Sequence, residues 1–129
     1  MLGRVRVLIA DDLPEIRTLV RTNLEFDGRF EVVGEAANGL EAVEMVNTLN
    51  PDVVVLDLAM PEMDGLAAIS KIRQSSPGTR ILVLSAFASD YNSRLVKELG
   101  ANGFIAKDRP MEEVMDKVAE IAEVQNPQA

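Results

Sequence analysis

The sequence predicts a single α/β domain: a five-stranded parallel sheet with helices on both faces. Apolar runs of strand length alternate along its 129 residues with segments of helical periodicity, which is typical of βαβ units with right-handed crossovers. The run at 52–57, Asp-Val-Val-Val-Leu-Asp, has an uninterrupted apolar centre and indicates a strand buried on both faces. The predicted strands are residues 5–10, 30–36, 52–57, 80–85 and 103–107.

Local signals place a helix after each strand. Pro14 suits the first turn of helix one, and Gly28 follows its end. Asn38 and Glu41 form a capping-box pattern at the start of helix two. Asp64 can cap helix three in the same way.

The last two helices follow weaker signals. Apolar residues between 91 and 99 recur at helical spacing, and Gly100 closes helix four. Pro110 opens helix five, whose apolar stripe we expect to be part core and part interface. The stripe comprises Met111, Val114, Met115, Val118, Ile121 and Ala122.

Composition narrows the possible chemistry. The chain has no cysteine and no histidine, which excludes disulfides, thiol chemistry, histidine-ligated zinc and a histidine base. The net charge of −8 argues against direct binding of nucleic acid by this segment but permits a cation site. Without an apolar run long enough to span a membrane, or a signal peptide, we expect a cytoplasmic protein with no membrane partner.

Reactive side chains lie at the carboxyl ends of four of the predicted strands: Asp11 and Asp12 at the first, Asp57 at the third, Ser85 at the fourth and Lys107 at the fifth. Each has a structural alternative, since an acid can cap a helix, a serine can end a strand and a lysine can be solvated. Parallel strands end at one edge of a sheet, however, so these groups should converge there.

Converging carboxylates favour a hard cation. Like charges raise one another's pKa, and oxygen ligands without histidine or cysteine suit Mg²⁺ or Mn²⁺. Three acids, a divalent ion and Lys107 sum to no net formal charge, so the site could accept a phosphoryl group. Asp57 could then attack phosphorus to form an acyl phosphate, while Lys107 stabilises the transferred charge and Ser85 donates a hydrogen bond.

This ordered set, with Met60-Pro61 and Met63-Asp64-Gly65 behind Asp57, resembles the receiver domain of bacterial response regulators over about residues 4–124. The resemblance implies a flavodoxin-like fold with strand order 2-1-3-4-5. It also implies that residues 1–124 form the receiver domain.

The resemblance assigns roles to the site residues. Asp57 would accept phosphoryl from a sensor histidine kinase. Asp12, Asp57 and the backbone carbonyl of Ala59 would bind Mg²⁺, and Asp11 would act mainly through metal-bound water. Lys107 would pair with the phosphoryl group. The domain would promote its own phosphorylation without being a turnover enzyme.

The resemblance further implies a conformational switch. Ser85 would move toward the phosphoryl group and Phe104 would turn inward to fill the space. Ala59 and Phe87 occupy the two positions beside the site whose residues set the rate of dephosphorylation in the family. Because neither offers a carboxylate or amide to orient water, we expect slow dephosphorylation.

Lys107-Asp108, where many receivers have Lys-Pro, resembles the NarL/FixJ class, as does strand two. A cis bond before a non-proline residue is costly, so the sequence leaves open whether the Lys107–Asp108 bond is cis or trans.

We expect residues 125–129 to begin a linker to a C-terminal DNA-binding domain that this chain does not include. The output would then be transcription, with homodimerisation on phosphorylation; a stand-alone receiver acting by protein contacts is the alternative.

Other functions fit the same residues less well. An aspartyl-phosphate hydrolase needs an acid two residues after its nucleophile, where this chain has Ala59. A mononucleotide binder needs a phosphate-cradling loop after strand one, where Asp11 and Asp12 would repel phosphate. A degenerate receiver used only for docking would not need the complete set of site groups.

Overall fold

A computed structural model describes residues 3–60, 63–86 and 89–124 of the chain. Within them, five strands alternate with five helices, as predicted. The strands are β1 (Val5–Ala10), β2 (Phe30–Ala36), β3 (Val53–Leu56), β4 (Arg80–Ser85) and β5 (Gly103–Ala106). The helices are α1 (Pro14–Asp27), α2 (Gly39–Leu49), α3 (Gly65–Ser75), α4 (Asp90–Leu99) and α5 (Met111–Val124). Strand β3 is therefore shorter at both ends than predicted, and β5 ends before Lys107.

The sheet is parallel throughout, and its order is β2-β1-β3-β4-β5. This confirms the predicted flavodoxin-like topology and the edge position of β2. Ala10 of β1 lies opposite Leu56 of β3, and Ser85 of β4 lies opposite Ala106 of β5. The segments that follow β1 and β3 therefore leave the sheet side by side.

Two apolar cores cover the two faces of the sheet. Helices α1 and α5 pack on one face, and helices α2, α3 and α4 pack on the other. Successive residues of a strand point to opposite faces, so Val7 and Ile9 enter the first core while Leu8 and Ala10 enter the second. All of β3 is buried, which explains its continuous apolar sequence.

The predicted helix caps are present. The side chain of Asn38 accepts a hydrogen bond from the backbone N–H of Glu41, and that of Asp64 accepts one from Ala67. Ser89 caps α4 in the same way, which the sequence analysis did not anticipate. Gly100, at the end of α4, has a φ of 118°, a value that residues with a side chain rarely adopt.

The apolar stripe of α5 lies almost entirely in the core, and the expectation that part of it forms an interface stays a prediction. Five of its six members are buried, and the sixth, Met111, is partly buried against the same cluster. The stripe is broad enough to pack both on the strands beneath α5 and on the neighbouring α1.

The remaining expectations concern the chain around this core. The described residues contain no cis peptide bond, so the Lys107–Asp108 bond is trans. None of the described helices combines the length and hydrophobicity that crossing a bilayer requires. The expected linker at 125–129 lies outside the described residues, as do Pro61 and Phe87.

Candidate functional site

Three carboxylates meet at the carboxyl edge of the sheet. Asp11, Asp12 and Asp57 each place a carboxylate oxygen within 4.8 Å of the other two. Asp11 and Asp57 are buried, with exposed fractions of 3% and 5%. Their convergence follows from the register, since the backbone N–H of Asp57 donates to the carbonyl of Ala10, one residue before Asp11.

Lys107 reaches into this cluster from the end of β5. Its Nζ lies 2.8 Å from Oδ2 of Asp11 and 3.5 Å from Oδ1 of Asp57. Burial by itself would lower the pKa of Lys107, but hydrogen bonding and charge from Asp11 and Asp57 outweigh it and raise the pKa. The lysine is therefore a fixed positive charge beside the acids, as the sequence predicted.

The surroundings of Asp57 disfavour its ionised form and raise its pKa. Burial and the negative charge of Asp11 raise its pKa above the ordinary value, although Lys107 and a backbone hydrogen bond from Ala59 act in the opposite direction. One cation thus balances the three acids only in part. A divalent ion would complete the neutralisation, and an all-carboxylate set of oxygen donors is the kind that Mg²⁺ prefers.

Replacing Asp57 by asparagine should stabilise the metal-free protein, because it removes a buried negative charge that Asp11 repels. Lys107 would still form its ion pair with Asp11. We expect the melting temperature near neutral pH to rise by about 4 °C, which corresponds to roughly 1 kcal/mol in a domain of this size. Calorimetry in EDTA would measure it.

The pH dependence of this effect has a definite sign. Since the pKa of Asp57 is raised on folding, the folded protein binds that proton more tightly than the unfolded chain. Wild-type stability therefore falls as pH rises through the titration of Asp57. The advantage of Asp57→Asn should be small near pH 4 and full near pH 7; an advantage that shrinks as pH rises would contradict this account.

Two residues to which the sequence analysis assigned no contact in the site, Arg17 and Gly65, lie against its backbone. Nη1 of Arg17 on α1 donates to the carbonyl of Asp11 at 2.7 Å. A Cβ on Gly65, the first residue of α3, would lie 2.5 Å from the carbonyl oxygen of Asp57. An arginine on a helix and a glycine after a capping residue carry no sequence signal of such contacts, since both are usual there.

A comparison with protein-family profiles matches residues 7–119 to the response regulator receiver domain. The chain belongs to this family. Receivers are signalling domains, and their acidic pocket binds Mg²⁺; the cluster of Asp11, Asp12 and Asp57 fits that ion and an aspartyl phosphate.

The relatives of this receiver include both short and long proteins. The chemotaxis protein CheY of Listeria monocytogenes is 37% identical over 92% of this chain and 98% of its own length. The nitrate/nitrite response regulator NarL of Escherichia coli is 34% identical over 90% of this chain but only 54% of its own. The solved signal receiver domain of a NarL from Mycobacterium tuberculosis superposes with a TM-score of 0.91, at 35% identity, covering 95% of this chain and 98% of that one.

The expected switch residues of the receiver lie on neighbouring strands. Ser85, at the end of β4, is fully buried. Phe104 of β5 is partly buried and packs against the core beneath α2, α3 and α4. Ala59 is exposed two residues after Asp57, and Phe87 lies outside the described residues. The expected slow loss of phosphate stays a prediction.

Proposed function

We propose that Asp57 accepts a phosphoryl group from the phosphohistidine of a sensor histidine kinase. The observation that carries this proposal is the arrangement of charged groups around Asp57. Carboxylate oxygens of Asp11, Asp12 and Asp57 lie within 4.8 Å of one another, and Nζ of Lys107 lies 3.5 Å from Oδ1 of Asp57. A carboxylate oxygen of Asp57 would form the new bond to phosphorus as the bond from phosphorus to the donor's imidazole nitrogen breaks. The electron pair of that broken bond leaves with the imidazole.

The surrounding residues would each act on the transferred group. Asp12, Asp57 and the carbonyl of Ala59 would hold Mg²⁺ or Mn²⁺, with Asp11 acting through bound water. When present, that ion would neutralise negative charge on the phosphoryl oxygens. Lys107, whose Nζ lies 3.5 Å from Oδ1 of Asp57, would pair with the phosphoryl group, and Ser85 would donate a hydrogen bond to it. Phe104 would then turn toward the space near Ser85.

The output that we propose is control of transcription in the cytoplasm. The long relative NarL supports a receiver spanning residues 1–124, followed by a linker and a DNA-binding domain. Phosphorylation would change the face near α4, β5 and α5 and promote a homodimer. The short relative CheY supports the second candidate, a stand-alone receiver that acts through protein contacts. Neither would be a turnover enzyme, because Ala59 cannot serve as the acid of a hydrolase.

Mass spectrometry tests the proposal directly. After incubation with acetyl phosphate and MgCl₂, wild type should gain the mass of one phosphoryl group, and Asp57→Ala should gain none. EDTA should prevent the gain. Asp108→Ala, which removes an exposed acid beside Lys107, is the matched control and should be phosphorylated like wild type. Equal phosphorylation of Asp57→Ala would refute the assignment.

A further inference from the structure

Arg17 holds the segment that carries two of the acids. Its Nη1 donates to the carbonyl of Asp11 at 2.7 Å, and its Nε lies 3.1 Å from Oε1 of Glu35 on β2. The side chain is largely buried, with 18% exposed. The guanidinium therefore bridges the end of β1 to the neighbouring edge strand.

A second arginine of α1 also pairs with Glu35. Nη1 of Arg21, one turn along α1, lies 2.6 Å from Oε2 of Glu35. The hydrogen bond from Arg21, followed by that from Arg17, lowers the pKa of Glu35 below its ordinary value despite partial burial. The carboxylate stays ionised at neutral pH, and two arginines hold it by its two oxygens.

The hydrogen bond from Arg17 to the Asp11 carbonyl also restricts the orientation of Asp12, through the peptide plane that the two residues share. The carbonyl of Asp11 and the backbone nitrogen of Asp12 belong to one planar unit, so a donor that fixes the carbonyl also orients the start of Asp12. The backbone N–H of Asp11 donates to Ala36, and Oδ1 of Asp11 accepts from Leu13. Neither of those bonds acts on the plane that joins Asp11 to Asp12.

We propose that Arg17 is a positioning residue that sets the Asp12 carboxylate for binding the divalent cation. This inference rests on the proposed function, in which Asp12 is a metal ligand. A simple charge effect would have the opposite sign: removing a cation near an acidic cluster should tighten cation binding, whereas loss of positioning should weaken it. Groups that orient metal ligands typically contribute tenfold or more to affinity.

The test is isothermal titration of the purified metal-free protein with MgCl₂. Arg17→Gln should weaken Mg²⁺ binding about tenfold. Arg21→Gln is the matched control, because it removes the same charge and a bond to the same Glu35 but leaves the bond to Asp11. It should bind within about twofold of wild type. Circular dichroism of each metal-free variant would confirm that the domain is folded.

The positioning role of Arg17 would be overturned if Arg17→Gln bound Mg²⁺ as tightly as wild type or more tightly. It would also be overturned if Arg21→Gln weakened Mg²⁺ binding as much as Arg17→Gln does. If Arg17→Gln does not fold, Arg17→Lys decides: it keeps the charge but loses the fork that serves two acceptors, so weaker binding is expected and unchanged binding counts against positioning. A wild type that does not bind Mg²⁺ would remove the proposed metal site itself.

Discussion

Replacing Lys107 by methionine is expected to destabilise the metal-free protein by about 3 kcal/mol, because removing one partner of a buried ion pair leaves its charge uncompensated. Lys107 contacts both Asp11 and Asp57, and those carboxylate side chains are only 4% and 6% exposed. Urea denaturation in EDTA, followed by circular dichroism, would measure the loss.

Lys117→Met is the matched control for this substitution. Lys117 pairs with Glu120 at 3.4 Å on the surface of α5, and such exposed pairs contribute about 1 kcal/mol or less. Adding MgCl₂ should raise the melting temperature of Lys107→Met more than that of wild type, because a bound divalent ion replaces the lost charge. Equal losses from the two lysine substitutions would show that the acids at the sheet edge do not depend on Lys107.

Gly65→Ala should lower the free energy of unfolding by about 3 kcal/mol, the upper end of the usual cost of overpacking. The added Cβ would lie 2.5 Å from both the carbonyl oxygen of Asp57 and the Cα of Leu58, and both are backbone atoms. The backbone N–H of Gly65 also donates to Leu58, so α3 cannot move away without losing that bond. Any gain in helix propensity, about 1 kcal/mol, is too small to offset the clash.

The same substitution should also slow phosphorylation of Asp57 by acetyl phosphate, since the clash displaces the residue that carries the acceptor. Gly78→Ala provides the comparison, because a Cβ there has no neighbour within 4 Å; its stability should stay within about 0.5 kcal/mol of wild type. A Gly65→Ala protein as stable and as readily phosphorylated as wild type would show that α3 packs less tightly on this loop than the structure indicates.

Much of the fold could be predicted because its signals are local. Strands β1, β2 and β4 begin and end at the predicted residues, and helices α2 and α3 start at the predicted caps Asn38 and Asp64. The convergence of the acids needed only one further rule, that parallel strands end at one edge. The family resemblance added the strand order, which local patterns alone do not determine.

The sequence by itself determined the alternation of strands and helices and the reactive groups at the strand ends, because backbone conformation follows from short-range sterics and hydrophobic periodicity. Only the tertiary structure decided that five of the six stripe residues of α5 are buried in the core, that Lys107 lies nearer to Asp11 than to Asp57, and that Arg17 holds the Asp11 carbonyl. These contacts depend on how close the folded elements approach one another. A helix face or a long charged side chain has many possible partners until that packing selects one.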